Sequence, residues 1–348
     1  VYWEKAKERD NCGRIEARFN VKIPLTTTGA DEVVEKRLLT KKTDAQKMLE
    51  EHYKQKEAHL RTLLSFSEVG VQFKGYKNSQ DFANKFPLVP YQFGLFQQSR
   101  IGLSSHNAFQ GAHAAVGSRS MLGVFQQVIK SIAHKDQNAL ISFDKMYAGI
   151  RSELRGTIQA NIEIAESNIE NETAIRILKT LFMLKYYDQF KATKRNISVL
   201  LIDDQNIDLK NHEDEVEKAL LILENQSYIQ RNGEFYEYLT DKEKDIDTAI
   251  KNTEIDEQAI TTFYKEIFFD EIIRDNKITY LDNKTAYEFS PIVNGVSYGR
   301  DKELKIEIIT PDYIADEEQV RSHSMGTTIL KLFLDPSPTF LRDVRLYK

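Results

Sequence analysis

An arginine, Arg119, stands in the first turn of the helix that "GSRSMLGVFQQVIKSI" (117–132) encodes. The helix dipole is positive there, so a cation costs roughly 0.3–1 kcal/mol unless an anion is near. At about 100° per residue, Met121, Leu122, Phe125, Val128, Ile129 and Ile132 form one apolar stripe. Arg119 lies roughly 120° from the centre of that stripe and points away from the core. Ser118 is a good N-cap. Free N–H groups in the first turn plus a guanidinium make an anion site that suits a phosphate. A carboxylate on a neighbouring helix is the other partner this spacing allows.

The remaining chemical candidates are weaker. No G-x-x-x-x-G-K-[ST] occurs, and "GAHAAVGS" (111–118) lacks the lysine and the spacing, so this chain by itself has no phosphate cradle. "SVLLIDD" (198–204) resembles the strand that carries a magnesium-binding carboxylate, with Asp203 and Asp204 at its end. It has no phosphate loop before it and runs into "QNIDLKNHEDE", a turn to the next helix, so we discount it. His106 and His113 lie in a small-residue loop with no further metal ligands nearby. Ser104, Ser105 and Ser118 are close in sequence, but no strand–turn–helix elbow supports a nucleophile. The aromatics of "FPLVPYQFGLFQ" (86–97) read as core packing.

The elements that must position these residues are mostly helices. "RFNVKIPLT" (18–26) reads as a buried strand, followed by a turn at Thr28-Gly29 and a helix capped by Asp31 that runs to about Leu64, with a break near Thr43. Pro90 suits the first turn of a helix carrying Phe93 and Phe96. "GLSSHNAFQGAHAAVGS" (102–118) reads as a loop, and helices follow at about 118–134, 142–154, 157–170 and 172–189. "NISVLLID" (196–203) is a short apolar segment, "HEDEVEKALLILENQSYI" (212–229) an amphipathic helix, and "YIQRNGEFYEYLT" (228–240) a hairpin about Asn232-Gly233. Helices followed by a hairpin are the order of a winged-helix module. From about 254 come a helix, "EQAITTFYKEIFFDEII", then strands "KITYL", "AYEFSPIVNGVSYG" and "LKIEIIT", and a tail that reads as the opening of an α/β domain.

Composition bounds the class. The 348 residues are 41% hydrophobic and 29% charged, with a net charge of −5, which describes a soluble globular chain and argues against a generally basic nucleic-acid binder. From Asn211 to Asn252 there are eleven acidic and five basic residues, so a helix from this segment is repelled by duplex phosphates. Cys12 is the sole cysteine, which excludes a disulfide framework and fits a reducing cytoplasm. No apolar run approaches a membrane span. The chain begins at Val1, and we read it as part of a longer protein.

"FPLVPYQFGLFQ" with "GSRSMLGVFQQVI" resembles the signature of the BrxC ATPases of bacteriophage exclusion (BREX) systems and the related PglY proteins of phage growth limitation systems. "RFNVKIPLT…DEVVEKRLLTKK" and "LLILENQSYIQRNGEFYEYLTDKE" share in the resemblance, which spans most of the chain. It implies a mainly α fold with α+β parts: the tail of an AAA+-type ATPase core (1–30), a helical lid (31–135), a helical linker with the winged-helix module (136–253), and the start of an α/β domain (254–348). It implies that Arg18, before the last core strand, acts in trans as an arginine finger on a neighbouring subunit's nucleotide. Arg119 with Ser118 would sense the nucleotide of its own subunit. ATP and magnesium would belong to the full-length protein, with none expected in this part alone. Partners would be copies of itself and other BREX proteins, with DNA engaged indirectly and no membrane. The competing readings are a winged-helix DNA-binding regulator and a purely structural interaction module.

Overall fold

The computed structural model describes residues 30–67, 73, 75–110, 118–251, 256–282, 284–311, 313, 326–334, 340, 344 and 347. The chain divides into two units, Val1–Lys244 and Asp245–Lys348. It is mainly helical, with a sheet in the C-terminal unit. The segment of Arg18 lies outside the described residues.

The N-terminal unit opens with α1 (Ala30–Leu38) and α2 (Thr43–Leu63), separated at residues 39–42 close to the expected break. α3 (Ser79–Lys85) and α4 (Tyr91–Ser105) follow, with Pro90 at the N-cap of α4. α4 runs to Ser105, into a stretch whose small residues suggest a loop. Gly102 is why: a Cβ there would sit 2.7 Å from the backbone oxygen of Tyr186, so only glycine lets the helix end pack so closely. Next come α5 (Ser118–Ser131), α6 (Met146–Ile150) flanked by short 3₁₀ turns, and α7 (Gly156–Asn168).

Three further helices and a hairpin complete this unit: α8 (Glu172–Leu184), α9 (Lys194–Leu200), α10 (Leu209–Asn225), then β1 (Ile229–Asn232) and β2 (Phe235–Tyr238) paired antiparallel around Asn232-Gly233. Gly233 has φ +62°, the left-handed conformation this tight turn demands. α9 covers most of what the sequence shows only as an apolar segment. Asn196, Ile197, Ser198, Val199 and Leu200 are all buried, so the helix has no polar face and no amphipathic period to betray it. α10 begins three residues earlier than its apolar spacing suggests, because Asp208 accepts bonds from the N–H groups of Lys210 and Asn211. One apolar core runs from Val34 through Tyr238.

The unit boundary falls within α11 (Asp241–Lys251). The C-terminal unit has α12 (Glu257–Lys265), which continues as a π-helix over Glu266–Ile273, then β3 (Lys277–Thr279), β4 (Ala286–Val293), β5 (Val296–Ser297), β6 (Leu304–Ile309) and β7 (Ile329–Phe333). The sheet order is β3-β4-β6-β7, with β5 hairpinned onto β4 at Asn294-Gly295. β6 pairs in parallel with both β4 and β7. Ile260, Tyr264, Phe269, Phe289, Val293, Ile306 and Ile308 form its core. No helix among the described residues is long and apolar enough to cross a membrane.

Candidate functional site

Of the apolar stripe of α5, Met121, Phe125, Val128 and Ile132 are buried, Leu122 and Ile129 are half-buried against the same core, and Val124 is buried with them. Val124 joins the stripe because Gly149 on α6 leaves room for it; a Cβ at Gly149 would meet Val124 Cγ1 at 2.5 Å. Phe125 is enclosed, with ring centroids 5.1 Å from Phe93 and 5.6 Å from Phe96 on α4. The aromatics of the 86–96 run are therefore core, and they fix the axis of α5. Ser118 and Arg119 open that helix. Their side chains are outside the described part, so the backbone gives the position of the candidate phosphate-facing turn and nothing about its partners.

The "FPLVPYQF" segment is anchored by polar groups as well as rings. Gln92 is wholly buried; its Oε1 accepts from Val89 N at 3.1 Å and its amide donates to Ile141 O at 2.5 Å. Ile141 N donates to Pro87 O at 3.1 Å, and Tyr76 Oη donates to Leu88 O at 3.0 Å. Its Tyr91 is buried, and loss of water pushes that phenol above its ordinary pKa. A buried amide is stable when both of its ends are satisfied, here by Val89 N and Ile141 O.

Asp203, at the end of "SVLLIDD", sits 3.2 Å from an Arg176 guanidinium nitrogen that also reaches Asp144 at 3.4 Å and Leu201 O at 2.6 Å. Asp204 accepts from Asn206 N at 2.7 Å. The two carboxylates are occupied within the protein, and the segment before them is helix, not strand. His106 lies flat on Tyr186, ring centroids 3.8 Å apart and 3° from parallel, with Nδ1 3.0 Å from Gly102 O. That imidazole is a packing group at the end of α4. Ser105 donates to Gly102 O at 2.8 Å. His113 falls outside the described residues.

In the three-helix-and-hairpin region, basic residues on α9 hold the acidic start of α10. Arg195 Nη1 is 2.8 Å from Glu213, and Lys194 Nζ is 3.1 Å from Glu217. Arg195 also donates to Thr62 O at 2.8 Å and Leu63 O at 3.2 Å, capping the C-terminal end of α2 where a cation suits the dipole. Asn196 is wholly buried and bonds Ser67 in both directions, each at 2.7 Å. Spacing could not reveal Arg176, Arg195 or Asn196 as anchors, since their partners lie far along the chain. Asp214 and Glu215 remain exposed on α10. Just ahead of α9, Thr193 makes an isolated antiparallel bridge to Phe235.

No solved structure matches the chain. Residues 253–348 match the family described as "BREX ATP-binding protein BrxC 4th domain with six-stranded beta sheet"; five strands of this sheet lie among the described residues. The C-terminal part of the chain is thus similar to a domain of BrxC, which links it to the BREX phage-defence system.

Proposed function

We propose that this chain is a working part of an ATP-binding BREX defence protein, in which α5 presents Arg119 and Ser118 to a nucleotide phosphate held elsewhere in the full-length molecule. The observation that carries it is the BrxC-domain match at residues 253–348. An arginine opening a helix whose other face is locked into the core supports the sensor role. Arg18 acts in trans on a neighbouring copy, and ATP with magnesium belongs to the assembled protein. The test is ATP turnover and nucleotide affinity in the full-length oligomer. Arg18→Ala should lower turnover by about 10³-fold or more while leaving binding nearly intact. Arg119→Ala should weaken both. Unchanged turnover and affinity in both variants would refute the reading.

Residues 172–252 serve as a winged-helix module that docks protein in the cytoplasm: another copy or another BREX protein. Helix order, the Thr193–Phe235 bridge and the β1–β2 hairpin support the winged-helix assignment. Exposed carboxylates on α10, with Lys194 and Arg195 already occupied, argue against a groove-reading helix. The DNA-regulator alternative predicts sub-micromolar, sequence-dependent duplex binding at about 0.15 M salt. A titration showing that would replace the protein-docking reading.

A further inference from the structure

We infer that Lys41 is a site of N-acylation, taking small acyl groups from acyl phosphates, with the acyl chain seated in the apolar cavity beside its amine. Lys41 lies between α1 and α2. Its Nζ donates to Asn84 O at 3.0 Å and Phe86 O at 2.7 Å. Among the described residues no ion pair of Lys41 with a carboxylate is seen; Glu35 acts on it only through its charge. Most of the chain's better-buried lysines differ: Lys85, Lys179 and Lys185 are each paired with an acid.

Beside the amine is a cavity of about 490 Å³. Leu38, Leu39, Leu49, Pro87 and Ile132 line it, and Met48, 48% exposed, stands at its edge. Lys135 and Asp136 are its other charged neighbours. The apolar walls hold a short hydrocarbon, and Lys135 at the cavity is a cation that suits the phosphate of the donor. Burial also lowers the Lys41 pKa to about 8. At pH 7 roughly a tenth of the amine is then neutral, against under about a thousandth for an ordinary lysine.

The reaction balances without a further reactant. The neutral Nζ attacks the acyl carbon, the C–N bond forms, the C–O bond to phosphate breaks, and phosphate leaves with the electron pair. The nitrogen then gives one proton to solvent. The resulting amide keeps a single N–H, so one of the two carbonyls, Asn84 O or Phe86 O, loses its donor and the positive charge disappears. The joint between α1–α2 and the "FPLVP" segment is thereby loosened.

The test exposes the full chain to limiting acetyl phosphate or butyryl phosphate at pH 7 and pH 9.5, with each lysine quantified by peptide mass spectrometry. Lys41 should acylate about tenfold faster than the median lysine at pH 7, and its lead should shrink at pH 9.5 as the others lose protons. Met48→Trp, which fills the cavity mouth at an exposed position, should suppress butyrylation more than acetylation. Lys41→Arg should remove the modified peptide while circular dichroism stays unchanged. A Lys41 rate at or below the median at pH 7, or butyrylation indifferent to Met48→Trp, overturns the assignment.

Discussion

The two units are held together over different distances along the chain. In the helical unit the polar anchors join residues far apart: His52 to Gln205 across 153 positions, Arg195 to Thr62 across 133, Asn196 to Ser67 across 129. In the sheet unit they are near neighbours: Gly295 to Glu307 across 12 positions, Lys302 to Ser290 across 12, Asn294 to Thr310 across 16. Closing a long loop costs more chain entropy, so the helical unit must assemble its apolar core before those anchors can form. The sheet unit meets its partners almost as soon as they are made. Helical content therefore does not mean local folding; in this protein the helices are the long-range part.

The largest expected effect tests that contrast directly. A chain ending at residue 190 lacks Arg195, Asn196 and Gln205, and should lose cooperative unfolding altogether, seen as a broad urea transition at 222 nm and binding of a hydrophobic dye. A sharp transition in that truncation would break the comparison. Phe125→Ala removes a fully buried ring between α4 and α5 and should cost about 3–5 kcal/mol of the helical unit's stability. Gln92→Ala strands Val89 N and Ile141 O, for about 1–3 kcal/mol. Both are read as shifts in the urea midpoint.

A pH effect sharpens the same contrast at one residue. The Lys41 amine titrates near 8 in the folded chain and near its ordinary 10.5 when unfolded. Between those values the unfolded chain binds more protons, so stability gains with rising pH across that window and the gain is complete above 10.5. Lys41→Met should flatten that part of the stability profile relative to the parent. A parent and variant with parallel profiles from pH 8 to 10 would show that the amine is not buried as described. The smallest effect belongs to the sheet unit: Glu288 is fully exposed beside Lys302, and Glu288→Gln should leave the midpoint where it is.

Much of this fold could be read from the residues because amphipathic period and turn chemistry are local. The α5 stripe, the break between α1 and α2, the Pro90 start of α4 and both Asn-Gly hairpins follow from neighbours within a few positions. α9 was illegible because it is buried on every side, and the end of α4 because Gly102 answers to a residue 84 positions later. At the candidate site, the helix start at Ser118 was legible. The anchors that steady it, Gln92 above all, were not, since a buried amide is chosen by backbone groups that the sequence does not name.

The Arg195 cap on α2 also has a consequence in time. The carbonyls it satisfies at Thr62 and Leu63 leave the ribosome 133 and 132 residues before the arginine does. At about 5–20 residues per second, that gap is roughly 7–27 s of synthesis. Throughout it the end of a 21-residue helix has only its local donors, such as Ser65 Oγ on Thr62 O, and lacks the arginine beside apolar residues Leu60 and Leu63. A nascent chain of this kind is a natural client for a chaperone that binds apolar stretches. Slowing translation between residues 65 and 195 should lower the yield of folded protein more than slowing it after residue 245.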